Sequence, residues 1–525
     1  MNILPRTIPG IVFHQAEVRP GHAALIDGEV TLTYAAVREA MLALAAALVG
    51  AGLRQGDRIG IWLPNGAPWV IACLGAQAAG GVIVPLNTRY KAGEAEPMLA
   101  KARVRFLIHA ERFADSDFTA MLGAMVLPHL ERCIAVSPDA PAGDAFSAFL
   151  ASGDAEARAE AEARLAALGP DDVADILFTS GTTGTPKGVV ATHGQNVRTY
   201  AEWNRATTLR DDDRYLVIWP FCHCSGYKSG WLAGFIAGAT VIPMATFDVD
   251  RVIEATARLA VTFLPGPPTV FQALLVRAED PAAQTALRVV GTGGTMIDPA
   301  LIRAIRSRLG TEVVYAGYGL TECCGTATMI RGDDPPEMVV HSSGRAIPGT
   351  ELATMAANGA LLPAGAEGEL VTRGFHVMQG YLDDPAATAQ VIDAAGWLHT
   401  GDLGTIDADG FVHITGRAKD MYIAGGFNCY PAEIENTIQM HPAVREVAVI
   451  GAPDARLGEV GLAFVAWNDA AVTRDGDALI AWCRDRMANY KVPRAVHFVD
   501  ALPRNAMGKV EKFRLTQIGS QGEKS

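Results

Sequence analysis

Through most of the chain, short runs of β-branched and aliphatic residues alternate with segments rich in alanine and charged side chains, the pattern of layered α/β structure. It predicts strands at Arg58–Leu63, Val104–Ala110, Cys133–Val136, Tyr215–Trp219, Thr240–Pro243, Val261–Leu264 and Val313–Tyr315. Helices are predicted at Ala35–Val49 and at Ala155–Leu168, the latter on the surface by its Ala/Glu/Arg composition. Trp69–Leu86 is almost wholly apolar. Gly80-Gly81 divides that stretch into a helix-like half and a β-rich Val82-Ile-Val84 ending at Pro85. It therefore reads as a buried helix feeding a buried strand and not as a membrane span.

From about Glu351 the pattern shortens to β-rich pieces with Gly and Asp-Gly turns, such as Ala408-Asp-Gly-Phe411 between Gly404-Thr-Ile406 and Val412-His-Ile414. A small β subdomain is expected there. A compact α+β unit follows: a helix at Pro431–Met440, strands near Val444–Ile450 and Leu462–Trp467, a helix near Asp477–Asn489 and a strand near Ala495–Val499. At 525 residues the chain exceeds the size of one core, so at least two domains are expected.

Half of the residues are apolar, and the formal net charge is −13. That balance disfavours nonspecific nucleic-acid or anionic-membrane binding and requires a local positive site for any anionic substrate. The eight cysteines form no C-x-x-C pair, which favours a reducing compartment. With no continuous apolar stretch in MNILPRTIPGIVFHQAEVRP and no peroxisomal address at GEKS, the expected location is cytoplasmic.

The densest chemical signal is T-S-G-T-T-G-T-P-K-G, Thr179 to Gly188, placed between the apolar runs Val173–Phe178 and Val189-Val190. Glycines let backbone N–H groups approach phosphate oxygens, hydroxyls add donors and Lys187 adds charge, so the stretch suits a polyphosphate. It is not a Walker loop, because Gly188 follows the lysine where a Ser or Thr would hold magnesium. Cys222-His223-Cys224 has metal-ligand residue types, but successive residues of an extended segment point to opposite faces and no fourth ligand lies near.

The phosphate-binding stretch resembles that of the adenylate-forming (AMP-binding) superfamily, and further motifs similar to the family's occur in order: PFCHCSG (Pro220–Gly226), GTGGT (Gly291–Thr295), YGLTE (Tyr318–Glu322), WLHTGD (Trp397–Asp402), GRAKD (Gly416–Asp420) and PRNAMGK (Pro503–Lys509). Within it, FLPGPPT (Phe263–Thr269), KDMYIAGGFN and LPRNAMGKV look closest to bacterial CoA ligases acting on propanoate side chains of degraded steroid rings, and to medium-chain or aromatic acid ligases. The resemblance implies a large multi-layer α/β adenylation domain with its β subdomain, 1–417, and a small mobile C-terminal domain, 418–525, hinged at Lys419.

It also implies the chemistry: a carboxylic acid and ATP form an acyl-adenylate with release of diphosphate, and a thiol then displaces AMP. Thr179, Ser180, Gly181, Thr182, Thr183, Gly184 and Lys187 would hold the β- and γ-phosphates. Thr321 would bond the α-phosphate and Glu322 would hold Mg²⁺. Tyr318 would stack on adenine opposite Gly293, Gly294 and Thr295. Asp402 would accept the ribose hydroxyls, with Arg417 in support. Lys509 would neutralise charge between carboxylate and α-phosphate. His223 would gate the acyl site, and Gly425-Gly426 would leave room for the pantetheine of CoA.

For the acyl pocket, Tyr227 and Lys228 are expected on a helix beginning at Gly226, with Lys228 facing either the substrate or solvent. Gly317, Cys323, Cys324 and Gly325 would form an opposite wall of small groups. Two other readings stay open: an adenylating enzyme serving a carrier protein or an amine, and a kinase-like enzyme releasing ADP. The expected partners are a small carboxylic acid, ATP and CoA, with no nucleic acid and no membrane span. A homodimer stays open.

Overall fold

The computed structural model describes residues 5–137, 145–179, 186–277, 286–292, 299–335, 337–417, 420–424, 427–454, 456–468, 474–487, 489–505 and 508–516, without the side chains of 427 and 428. Two compact units are present: Met1–Leu352 with Thr372–Leu398, and Ala353–Val371 with His399–Ser525. Contacts thus group most of the small β sheet with the C-terminal segment, whereas the sequence reading placed it with the N-terminal domain.

The first unit contains two seven-stranded sheets. In one, six parallel strands (Val313–Tyr315, Val289–Gly291, Phe263–Pro265, Arg214–Val217, Thr240–Pro243 and Ala23–Asp27) end in the antiparallel Val30–Thr33. The other runs Gly380–Tyr381, Lys187–Thr192, Val173–Thr179, Val82–Pro85, Arg58–Trp62, Val104–Ala110 and Arg132–Val136. Its last five strands are parallel and its first three antiparallel. Parallel strands covered on both faces read as continuous apolar runs, which is why the sequence pattern located most of them. The strand expected from Val261 begins at Phe263, because Ala260 ends the preceding helix in the left-handed region (φ 47°) and Val261 N–H still bonds back to Thr256 O.

The apolar stretch resolves into helix Ala67–Ala78 and strand Val82–Pro85. The Asp27 carboxylate accepts the Ala67 N–H at 2.7 Å, anchoring the helix start. Gly75 lets the helix close on Tyr34–Gly50, since a Cβ there would sit 2.6 Å from Leu44 Cβ. Trp69 on this helix packs at 5.4–6.1 Å against Phe221, Tyr227 and Trp231. Each such buried side chain contributes about 1.5–3 kcal/mol. Among the described residues no helix is long and apolar enough to cross a membrane.

In the second unit, Leu398–Ile406 and Val412–Arg417 form the expected hairpin, within a four-stranded sheet completed by Thr350–Met355 and Gly368–Gly374. Asp407 Oδ1 accepts the N–H groups of Asp409 and Phe411, and Gly410 takes φ 84°, a turn that favours glycine. A five-stranded sheet then combines Val444–Asp454, Gly458–Trp467, Ala495–Phe498, Tyr422–Ala424 and Phe427–Cys429 with helices Pro431–Gln439 and Gly476–Arg484. The second helix stops five residues before the expected Asn489.

Candidate functional site

Strands Val173–Thr179 and Lys187–Thr192 pair antiparallel, with Thr179 opposite Lys187. Thr179 and Lys187, at the two ends of the stretch expected to bind phosphate, therefore stand side by side, and Ser180, Gly181, Thr182, Thr183 and Gly184 lie outside the described residues. On the far side of Lys187–Thr192, strand Gly380–Tyr381 pairs with Val189 and Val190. Gly380 needs its glycine, with φ 145° and no room for a Cβ beside Thr388.

This pairing brings Tyr381, Lys187 and Glu322 together. The Tyr381 hydroxyl donates to Glu322 Oε1 at 2.8 Å, and Lys187 Nζ lies 4.9 Å from the centre of the Tyr381 ring. Glu322 belongs to the single turn Thr321–Cys323, closed by Cys324 in the left-handed region (φ 55°). A non-glycine residue there carries strain and needs holding in place. The Tyr200 hydroxyl bonds Cys324 O at 2.8 Å, and Met378 N–H bonds Glu322 O at 2.8 Å. Glu322 offers only hard oxygen donors, which fits Mg²⁺. Tyr318, on strand Gly317–Tyr318 opposite Thr328, is half-buried against the cluster of Cys323, Ala327 and Leu398. Gly293, Gly294 and Thr295 lie outside the described residues.

His223 precedes the helical turn Cys224–Gly226. Asn87 Oδ1 accepts the Arg89 N–H at 2.9 Å, which turns the amide nitrogen of Asn87 toward His223 Nε2 at 3.2 Å. A donor pointing at Nε2 leaves the ring proton on Nδ1. Burial lowers the His223 pKa to about 4, so the imidazole is neutral at physiological pH.

The acyl-pocket expectation for Tyr227, Lys228 and Cys323 is corrected. All three side chains are fully buried and present no surface to a water-sized space. The helix expected from Gly226 is present but opens with a wide turn, Tyr227–Leu232, kinked at Gly230 (φ −83°, ψ −108°), before the regular turns Ala233–Ala237. This turn carries Tyr227 into the aromatic cluster of Trp69 and Trp231, where its hydroxyl accepts from Gln77 Nε2 at 3.1 Å. Lys228 meets neither solvent nor an open pocket: its Nζ lies 3.0 Å from Asp175 Oδ1, and Asn196 donates to Asp175 Oδ2 at 2.6 Å. Burial opposes the Lys228 charge, but the Asp175 carboxylate outweighs it and holds the ammonium above its ordinary pKa. The Cys323 thiol turns back on Leu320, 3.3 Å from its N and 3.2 Å from its O. Gly317 is exposed, and a Cβ would fall 2.5 Å from Met329 Sδ. A groove of about 1230 Å³ opens beside Tyr381, lined among others by Gln195, Arg198, Phe375 and Met378; none of the four expected acyl-pocket residues borders it.

In the second unit, Asp402 and Arg417 face each other across the hairpin, with Arg417 Nε 3.0 Å from Asp402 Oδ1. The guanidinium thus orients the carboxylate expected to take the ribose. The Thr400 hydroxyl accepts the Asp402 N–H at 3.1 Å and donates to Leu370 O at 2.7 Å. Lys509 is exposed on a tight turn: Asn505 Oδ1 accepts the Lys509 N–H at 3.0 Å, Asn505 N–H bonds Lys509 O at 2.9 Å, and Gly508 has φ 79°. Strands Tyr422–Ala424 and Phe427–Cys429 pair through a two-residue connection. That connection, Gly425-Gly426, and the hinge position Lys419 lie outside the described residues.

Sequence reasoning missed Tyr381, Asn87 and Asp175. Asp175 was the findable one: a carboxylate inside the apolar run Val-Ala-Asp-Ile-Leu-Phe needs a buried partner, and Lys228 is an equally misplaced charge.

The family described as AMP-binding enzyme matches residues 12–382, and the AMP-binding enzyme C-terminal domain matches residues 433–509. A 3-[(3aS,4S,7aS)-7a-methyl-1,5-dioxo-octahydro-1H-inden-4-yl]propanoyl:CoA ligase from Rhodococcus jostii is 45% identical, covering 97% of this chain and 98% of its own. The ligase of the same name from Mycobacterium tuberculosis is 44% identical, covering 98% and 99%. Among solved structures, ATP-bound MatB from Rhodopseudomonas palustris superimposes with a TM-score of 0.87 at 29% identity, covering 98% of each chain. The chain therefore belongs to the AMP-binding enzyme family and is an acyl-CoA synthetase.

Proposed function

We propose that this acyl-CoA synthetase activates a propanoate carried on a saturated, keto-bearing bicyclic ring, the kind of fragment left when a steroid nucleus is degraded. The observation that carries the reading is identity of 45% over nearly the full length to a ligase named for such an acid. A medium-chain or aromatic acid is the next candidate.

The residue roles follow from the demands of the two steps. A carboxylate attacking an anionic α-phosphate needs alignment and charge neutralisation more than covalent help. Lys187 and the hydroxyls and glycines from Thr179 to Gly184 bind the β- and γ-phosphates. Thr321 bonds the α-phosphate, and Glu322 is the residue to hold Mg²⁺, which would neutralise charge on the phosphate oxygens. Tyr318 with Gly293, Gly294 and Thr295 encloses the adenine. Asp402, oriented by Arg417, receives the ribose hydroxyls. His223 stands between nucleotide and acyl group, where a neutral Nδ1–H can donate to the substrate carboxylate without adding charge. Lys509 belongs to a mobile C-terminal domain, 418–525, that turns about Lys419 between steps, so that Gly425-Gly426 then admits the pantetheine of CoA. A reducing cytoplasm suits the eight free thiols.

The substrate reading is tested by competition. Equal concentrations of the bicyclic propanoate, octanoate and ferulate compete for limiting CoA with ATP and Mg²⁺, and the thioesters are separated by mass. The bicyclic thioester should dominate by at least about tenfold, as a shaped apolar pocket allows. Dominance of either rival acid would overturn the reading.

A further inference from the structure

We propose that Tyr381 is a positioning residue that keeps Lys187 and Glu322 apart and aimed at Mg·ATP. The inference rests on the roles given above to those two residues. Lys187 and Glu322 carry opposite charges on neighbouring segments, and a direct ion pair between them would have to break before either could take a phosphate or a cation. Tyr381 stands between them and satisfies each with a neutral group. Its hydroxyl donates to Glu322 Oε1 at 2.8 Å, and its ring faces Lys187 Nζ at 4.9 Å from the ring centre. The ring contact is weaker than one a polyphosphate offers and can be exchanged on binding, whereas the hydroxyl holds Oε1 and so aims the rest of the Glu322 carboxylate at a divalent cation.

Tyr381 is itself held on three sides. Its strand pairs with Val189 and Val190, directly beyond Lys187. Leu382 N–H bonds Gly188 O at 2.7 Å and Gln379 N–H bonds Val190 O at 2.9 Å. The Tyr381 N–H donates to Thr388 Oγ1 at 2.9 Å, and Met378 N–H reaches the main chain of Glu322. One short strand thus fixes the phenol relative to both charged groups, and the phenol needs no nucleotide to do so.

The test measures equilibrium binding of ATP calorimetrically, with Mg²⁺ and with a chelator, on the full chain. Tyr381→Phe keeps the ring under Lys187 but removes the donor to Glu322. It should weaken Mg·ATP binding by about tenfold while leaving metal-free ATP within about twofold. Tyr381→Leu should weaken metal-free ATP as well. Tyr381→Phe binding both forms as the wild type does would overturn the proposal. So would an equal loss for both forms, which is what a merely structural role predicts. Glu322→Gln and Lys187→Ala are measured alongside. If Glu322→Gln leaves the Mg²⁺ effect intact, the reading of the site has failed and the proposal falls with it. If Glu322→Gln abolishes the effect and Tyr381→Phe does not touch it, the positioning role alone has failed.

Discussion

Lys228 Nζ lies 3.0 Å from Asp175 Oδ1 with both side chains shut off from solvent, an ion pair that ties the turn after His223 to strand Val173–Thr179. Removing one partner of such a pair strands a buried charge, whereas replacing both with uncharged groups is far cheaper. Lys228→Met should therefore lower the unfolding free energy by about 3–5 kcal/mol, and Lys228→Met with Asp175→Asn should recover at least half of that loss. Urea denaturation of the three proteins checks it, and a neutral Lys228→Met would mean the pair is not charged in the core.

The Asn87 amide fixes which nitrogen of His223 carries the proton. With a pKa near 4, His223 should impose no inflection on kcat/KM between about pH 5.5 and 8. Asn87→Asp replaces a donor by an acceptor, favours the imidazolium, and should introduce a new inflection in that range. Nitrogen shifts of labelled histidine should report the Nδ1–H form in the wild type and its loss in the variant. An Nε2–H form in the wild type would contradict the assignment.

Burial acts in the same direction on other histidines. His193, whose Nδ1 accepts the Ile8 N–H at 3.3 Å, His376 and His223 are all lowered to about 4 by burial. Unfolded histidine titrates near 6.5, so between about 6.5 and 4 the unfolded chain binds more protons than the folded one. Their contribution to stability is present above about 6.5 and is lost as the pH falls, at up to about 1.4 kcal/mol per pH unit for each histidine. His193→Gln keeps an acceptor for Ile8 and should flatten that slope by about one proton's worth. Urea midpoints at pH 7 and pH 5 measure it.

Lys509 acts on adenylation alone in this account. Lys509→Ala should slow acyl-adenylate formation by on the order of 10² to 10³ yet still convert supplied acyl-AMP and CoA to thioester. The two half-reactions are assayed separately, and loss of both in folded protein would contradict the role.

The fold was legible where burial and local pattern coincide. Val104–Ala110, Thr240–Pro243 and Val313–Tyr315 are mostly apolar, and their bounds match those expected from sequence. The site was legible at the level of motifs, because glycines, hydroxyls and single charges mark backbone that must approach a ligand. Contacts made through space were not legible. Tyr381 reaches Glu322 across 59 residues and Lys228 reaches Asp175 across 53, distances over which no local periodicity carries information. Tyr227 and Lys228 were misjudged for a related reason: polar atoms beside a motif look available for a substrate until the core that satisfies them is seen.

The most direct test incubates the enzyme with ATP, Mg²⁺ and the methyl-dioxo-octahydroindene propanoate, with and without CoA, and follows nucleotide, diphosphate and thioester together. The account predicts diphosphate from the adenylation step, with AMP and the propanoyl thioester released together only when CoA is present. Release of ADP, or AMP formation with no thioester in the presence of CoA, would contradict it.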